Sequence, residues 1–197
     1  YVGTDSINNI IYFYNGDSID GSVSLPGFGF GSNPPAMGVK YLSDSMTNAT
    51  YFNIGGGPTG DPNTANQWWN YLNSRWADGS PILYGGNGFS GPGTTSIPTT
   101  HMFTGDPLSG MGWSAVNPGG GEPPSPPGDR RMLASSPTFS MAPGDSKVME
   151  IVVGYGRKDS TANYLENVPE MIRVLNKAEE VWDSLPTQNF IYGNNYS

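Results

Sequence analysis

The segment 147–155 (KVMEIVVGY) constrains this chain more than any other, because few places in a fold can accommodate it. It is β-branched, and apolar side chains appear at both alternations, so both faces of an extended strand there are apolar. The pattern predicts a central strand covered on both sides.

The rest of the chain supplies shorter elements to surround it. Residues 10–14 (IIYFY), closed by Asn15-Gly16, read as a strand, as do 38–42 (GVKYL) and 50–54 (TYFNI). The last of these stops at Gly55-Gly56-Gly57-Pro58. Shorter strands are predicted at 82–84 and 101–103. Asp61 as a cap and Pro62 at the first helical position predict a helix carrying Ala65, Trp68, Leu72 and Trp76 on one side. A second helix opens at Val168-Pro169-Glu170, with Met171, Val174, Ala178, Val181 and Leu185 as its apolar stripe, and stops at Pro186. Residues 117–128 (NPGGGEPPSPPG) form a Pro/Gly-rich loop. With 28 Gly and 18 Pro the chain is turn-rich, but 5 Trp, 11 Tyr and 8 Phe supply the apolar area for a core. The expected architecture is one mainly β domain over 1–197: an antiparallel β-sandwich, jelly-roll-like, with two helices, one of them near the C-terminus. The first residue is Tyr rather than Met, which reads as a fragment of a larger protein.

Charge narrows the function. A formal net charge of −8 with nine Lys and Arg and no basic cluster speaks against nucleic acid and against a tether to anionic lipid. No apolar run approaches the roughly 18 residues of a membrane span, so no membrane insertion is expected. The absence of Cys removes thiol nucleophiles and zinc–thiolate sites, and a single histidine, His101, removes multi-histidine metal sites.

Three chemistries stay open. Residues 15–21 (NGDSIDG) place Asn15, Asp17 and Asp20 at near-alternate positions beside glycines, a pattern that suits calcium, which takes carboxylate and carbonyl oxygens; a solvated hairpin turn is the bland alternative. Trp68, Trp69, Trp76 and Trp113, with Tyr84 and Phe89 nearby, are candidates for a glycan-stacking platform, or else core. Glycoside hydrolysis needs two paired acids; Asp61, Asp78, Asp106 and Glu122 lie near aromatics, but no spacing singles out a pair.

Residues 128–133 (GDRRML), 136–146 (SPTFSMAPGDS) and 150–154 (EIVVG) resemble a recurring region of large Bacteroidota surface and secreted proteins. Those proteins carry a C-terminal sorting domain for the type IX secretion system, and the region runs roughly D-R-R-F-L-x-S-S-G-P-F-T-L-A-P-G-D-S, then a strand, then a helix. Residues 15–17, 31–38, 67–72, 76–79 and 102–107 resemble earlier pieces in the expected order. The chain departs from the pattern at Ser136, where glycine usually precedes proline, and at His101, where Lys or Tyr is usual. The resemblance implies a secreted or cell-surface location. It also implies partnership with other domains of the same polypeptide; the secretion machinery and, from the aromatics, an extracellular glycan are further candidate partners. The expected function is a non-catalytic structural or adhesion-type module; the alternative is a carbohydrate-binding or accessory module of a secreted hydrolase.

Overall fold

Strands β1 (Val2–Asp5) and β2 (Ile10–Phe13) are joined by a tight turn in which the Asp5 carboxylate accepts from the amides of Ile7 and Asn8. The structure, a computed structural model, describes residues 1–21, 29–159 and 163–185. A small ribbon follows, β3 (Ile19–Asp20) with β4 (Gly31–Ser32), then β5 (Ala36–Tyr41) and β6 (Asn48–Asn53). Helix α1 spans Ala65–Leu72; β7 (Arg130–Ser135), β8 (Ile151–Gly156) and helix α2 (Asn167–Ser184) are the remaining described strands and α-helix. All described strand pairings are antiparallel. Four strands form one sheet in the order β1-β2-β5-β8, while β6 pairs with β7 separately. The fold is thus mainly antiparallel β with two helices, one C-terminal, and its sheets are not closed.

Alternation along the strands sorts the core into two sides. Ile10, Tyr12 and Tyr14 pack with Ala36 under α2, against Val168, Met171 and Leu175. The opposite face of the same sheet carries Ile11, which clusters with Tyr41, Met46 and Ala49. Beyond it lies an aromatic core of Tyr51, Phe52, Tyr71, Trp76, Phe103 and Trp113. Its rings meet edge-on or tilted at centroid separations of 5.0 Å for Phe103–Trp113, 5.2 Å for Tyr51–Phe103 and 5.8 Å for Tyr51–Trp76, the arrangement that aromatic quadrupoles favour.

The strand predicted to be central is an edge. Residues 147–150 lie outside the ladder, and β8 pairs with β5 on one side and with no described strand on the other. Its cover is one-sided as well. Gly38, Gly154 and Gly156 face α2, and a Cβ at Gly156 would lie 2.2 Å from the backbone nitrogen of Met171. Glycines let the helix settle directly on the backbone, so on that face the strand needs few side chains of its own. Lys40 pins the same interface from within: it is buried, and its Nζ reaches Glu179 at 2.7 Å and Asn176 at 2.9 Å on α2.

Other boundaries moved for local reasons. Helix α1 starts at Ala65 rather than beside Pro62, because Thr64 caps the amide of Gln67 while the Gln67 side chain returns to the cap, a reciprocal pair. It stops at Leu72, before Ser74 takes a positive φ of 55°, which swings Trp76 into the aromatic core. Residues 82–84 and 101–103 make isolated bridges, Leu83 to Pro98 and Ala49 to His101, rather than strands. Helix α2 begins at Asn167, two residues ahead of Pro169, after a short 3-10 turn (Tyr164–Glu166).

Candidate functional site

The four tryptophans singled out by sequence divide into two pairs. Trp76 and Trp113 are core residues at 0% and 2% exposure. Each indole N–H donates to a backbone carbonyl of the glycine-rich loop, Trp76 to Gly88 at 2.9 Å and Trp113 to Gly86 at 3.0 Å. That loop can turn its carbonyls inward because Gly86 and Gly88 hold φ of 54° and 78°, where other residues are strained. Trp68 and Trp69, both on α1, are 44% and 57% exposed. Trp68 sets its edge against Phe52, with centroids 6.0 Å apart. Trp69 faces a groove.

This groove, about 690 Å³, has α1 as one wall and the segment after β7 as the other. Trp69, Leu72 and Asn73 line the first wall, Ser136 to Phe139 the second, with Met149 and Tyr41 closing it. Its floor is the end of the β6–β7 ladder, where Asn48 pairs with Ser135. The Asn48 amide donates to the Leu72 carbonyl at 2.6 Å and to Ser135 Oγ at 3.0 Å, which ties α1 to the ladder. Phe139, 53% exposed, is held by Lys147, whose Nζ sits 4.5 Å above its ring while also pairing with Asp44. None of the groove's lining residues is charged. Sequence reading missed Phe139, Met149 and Tyr41 as site residues, since nothing in the sequence signals that 136–149 folds back beside α1.

Asn15, Asp17 and Asp20 do come together in one turn, and its hydrogen bonds are internal. The Asn15 amide donates to the backbone carbonyls of Asp17 and Ile19, both at 3.2 Å, and to Asp17 Oδ1. Asp17 Oδ1 also accepts from the Ile19 amide, and Asp20 Oδ2 from the Phe30 amide. Asn15 therefore points a donor at oxygens that calcium would take. Among the described residues there is no group of three or more His, Cys, Asp or Glu placed to hold a metal.

Three of the four acids near aromatics use their carboxylates locally. Asp61 pairs with Arg131 and accepts from the Gly55 amide. Asp78 accepts from the amide and hydroxyl of Ser80, and Asp106 from the Leu108 amide. Glu122 closes a turn through its own amide, which donates to the Gly119 carbonyl. His101 bridges loops, its ring nitrogens lying 2.9 Å from Thr100 Oγ1 and 3.2 Å from the Met46 carbonyl. Burial lowers its pKa below the ordinary histidine value, partly opposed by the Met46 carbonyl.

The two arginines of residues 128–133 also part. Arg131 takes the ion pair with Asp61, whereas Arg130 lies over Tyr1 and Tyr51, 5.7 and 5.3 Å from their ring centres, and donates to the Pro126 carbonyl. Both belong to β7.

The second unusual surface is the outer face of β8. Ile151, Val153 and Tyr155 are 50%, 59% and 66% exposed, and Met37 on the neighbouring strand is also exposed. The antiparallel-β scaffold thus carries two apolar surfaces, one a neutral aromatic groove and one a bare strand face. Comparison with protein-family models, curated proteins and solved structures finds no match to this chain. No described helix is long and apolar enough to cross a membrane.

Proposed function

We propose that this chain is a non-catalytic structural or adhesion-type module of a large secreted or cell-surface bacterial protein. In this reading the four-stranded sheet and the β6–β7 ribbon act as the two layers of a sandwich-like body, which packs against other domains of its own polypeptide. The observation that carries it is the bare face of β8. Contiguous apolar strand residues left open next to an unpaired strand edge mark a contact surface, because natural edge strands are otherwise blunted by charge, proline or a bulge; residues 151–156 (IVVGYG) carry none of the first two. Export through the type IX route is supported by the resemblance of residues 128–154 to the region found in such proteins. The non-catalytic reading is supported by the carboxylates of Asp61, Asp78 and Asp106, which are engaged in turns or an ion pair.

The test is dye binding and sedimentation of the 197-residue chain beside a Val153→Lys/Tyr155→Lys variant. The wild-type chain is expected to bind an environment-sensitive apolar dye and to self-associate at high concentration, and the variant to do neither while melting at an unchanged temperature. A variant that unfolds places this face in the core and refutes the reading.

A further inference from the structure

We propose that the groove between α1 and residues 136–139 binds a neutral glycan, stacking a pyranose ring on Trp69; this inference rests on the adhesion-type reading and names its ligand. Four observations converge on that class. The first is neutrality. In a chain of net charge −8, the groove is lined by Tyr41, Trp69, Phe139, Asn48, Asn73 and their neighbours without one charged side chain. Lys147, which sits over Phe139 beside the groove, is already paired with Asp44, so a charged ligand would have to break that pair or bury its charge without a partner, which is unfavourable, and the site suits an uncharged molecule.

The second is the pair of open aromatic rings. Trp69 is the most exposed described tryptophan, and Phe139 stands across from it with its ring fixed by Lys147. Large aromatics left open in a concave site supply apolar area at a low cost in rotamer entropy. A pyranose ring presents a matching flat face of C–H groups.

Third, the polar atoms at the groove are of the kind that sugar hydroxyls engage. Asn48 and Asn73 use their amide N–H groups on the backbone carbonyls of Leu72 and Trp69, at 2.6 and 2.8 Å. Their amide oxygens are thereby left as acceptors with fixed orientation. Ser136 and Thr138 add hydroxyls along the opposite wall. Hydroxyl groups donate to such oxygens and accept from such hydroxyls without any change of protonation.

Fourth, the site is preformed. The tether from Asn48 and Ser135 to the Leu72 carbonyl holds α1 at the ladder's end, with Ser135 Oγ 2.9 Å from that oxygen. A volume of about 690 Å³ falls within the range of small-ligand sites.

The experiment titrates the whole chain with neutral hexasaccharides (cello-, xylo-, laminari- and mannohexaose) and with anionic oligogalacturonate, following tryptophan fluorescence and calorimetry. The same tubes are assayed for newly released reducing ends. Saturable binding of a neutral hexasaccharide is expected, weakened at least about tenfold in Trp69→Ala and unchanged in Trp68→Ala. Trp69→Ala is expected to melt like wild type, and Phe139→Ala to weaken binding without unfolding, so that loss of affinity is separable from loss of fold. Absence of binding across the neutral panel, tighter binding of oligogalacturonate, or full affinity in Trp69→Ala each overturns the glycan inference while leaving the module reading standing. Release of reducing ends overturns the non-catalytic reading instead, and leaves the groove assignment to be judged by the Trp69 variant.

Discussion

The two faces of β8 solve opposite problems with the same six residues. Toward α2 the strand presents Val152, Gly154 and Gly156, and the helix descends until Met171 and Leu175 are fully buried on backbone. Away from α2 it presents Ile151, Val153 and Tyr155, large side chains with no described cover. The small residues are therefore where packing is closest, and the large ones where packing is absent. A buried interface tolerates no added atom, whereas an open one tolerates a change of chemistry, and substitutions on the two faces should differ accordingly.

The largest effect is expected at Gly156→Ala. Its new Cβ would meet the Met171 backbone nitrogen at 2.2 Å and the Met171 Cα at 2.6 Å, and backbone cannot swing aside. Overpacking of this kind costs about 1–3 kcal/mol, and the upper end applies where the neighbour is the helix itself. Each kcal/mol moves the melting temperature by roughly 2–4 °C in a chain of this size. A thermal melt showing less than a degree of change would mean that α2 does not rest on β8 as described.

Glu179→Ala tests the same interface through charge. It leaves the Lys40 ammonium buried with Asn176 as its remaining described partner. Stranding a fully buried charge costs about 3–5 kcal/mol, but Glu179 itself is 37% exposed and water can replace part of it, so about 1–2 kcal/mol is expected. A double-mutant cycle with Lys40→Met separates the pair from the packing of the Lys40 stem. Gly154→Ala comes next. Its nearest contact is the flexible end of Leu175 at 3.0 Å, so under about 1 kcal/mol is expected, clearly less than at Gly156.

Much of the scaffold can be read from residues with local meaning. β2, β5 and β6 follow from β-branched and aromatic runs, and the core half of α2 from Met171 and its neighbours. The second half of the α2 stripe does not become core: Val181 and Leu185 are exposed, because β8 ends the sheet beneath them. The place of β8 itself was illegible because apolar residues at both alternations look the same whether a face is covered or left open, and only the helix seated on Gly154 and Gly156 shows which face is packed. β7 was hidden for a related reason. Arg130 and Arg131 interrupt its apolar pattern, and their partners, Tyr1, Tyr51 and Asp61, come from far along the chain. The site shows the same division. Sequence marks Trp68, Trp69, Trp76 and Trp113 alike, and only the inward carbonyls of Gly86 and Gly88 decide which two are core.

A pH effect of modest size should come from the side of the molecule away from α2. The unfolded chain protonates His101 near its ordinary value of about 6.5, and the folded chain only at a lower pH, since burial disfavours the charged ring. Between those two values the unfolded state binds more protons, so stability falls as pH drops through the window and is fully present above it. His101→Gln should flatten that slope below about pH 6.5, while the slope in Gly154→Ala should match wild type. Equal slopes in wild type and His101→Gln would show that the ring takes up its proton alike in the folded and unfolded chain.

The smallest effect, and the sharpest contrast, lies between adjacent residues. Val153→Lys puts an ammonium on the bare face, where it stays in water, and stability should change by no more than about 0.5 kcal/mol. Val152→Lys, one residue away, turns the same group toward the α2 side, where Val152 is half-buried and packs on the Met171–Leu175 cluster. The long stem allows the charge to reach past Ala178 and Val181 to solvent, so about 1–2 kcal/mol is expected rather than unfolding. The two melts need no absolute calibration, because only their difference matters. If Val153→Lys is the more damaging, the strand faces are assigned the wrong way round, and the contact surface proposed for β8 goes with them. If both are silent, α2 does not cover the strand at all, and the glycine seat at Gly156 must be reconsidered with it.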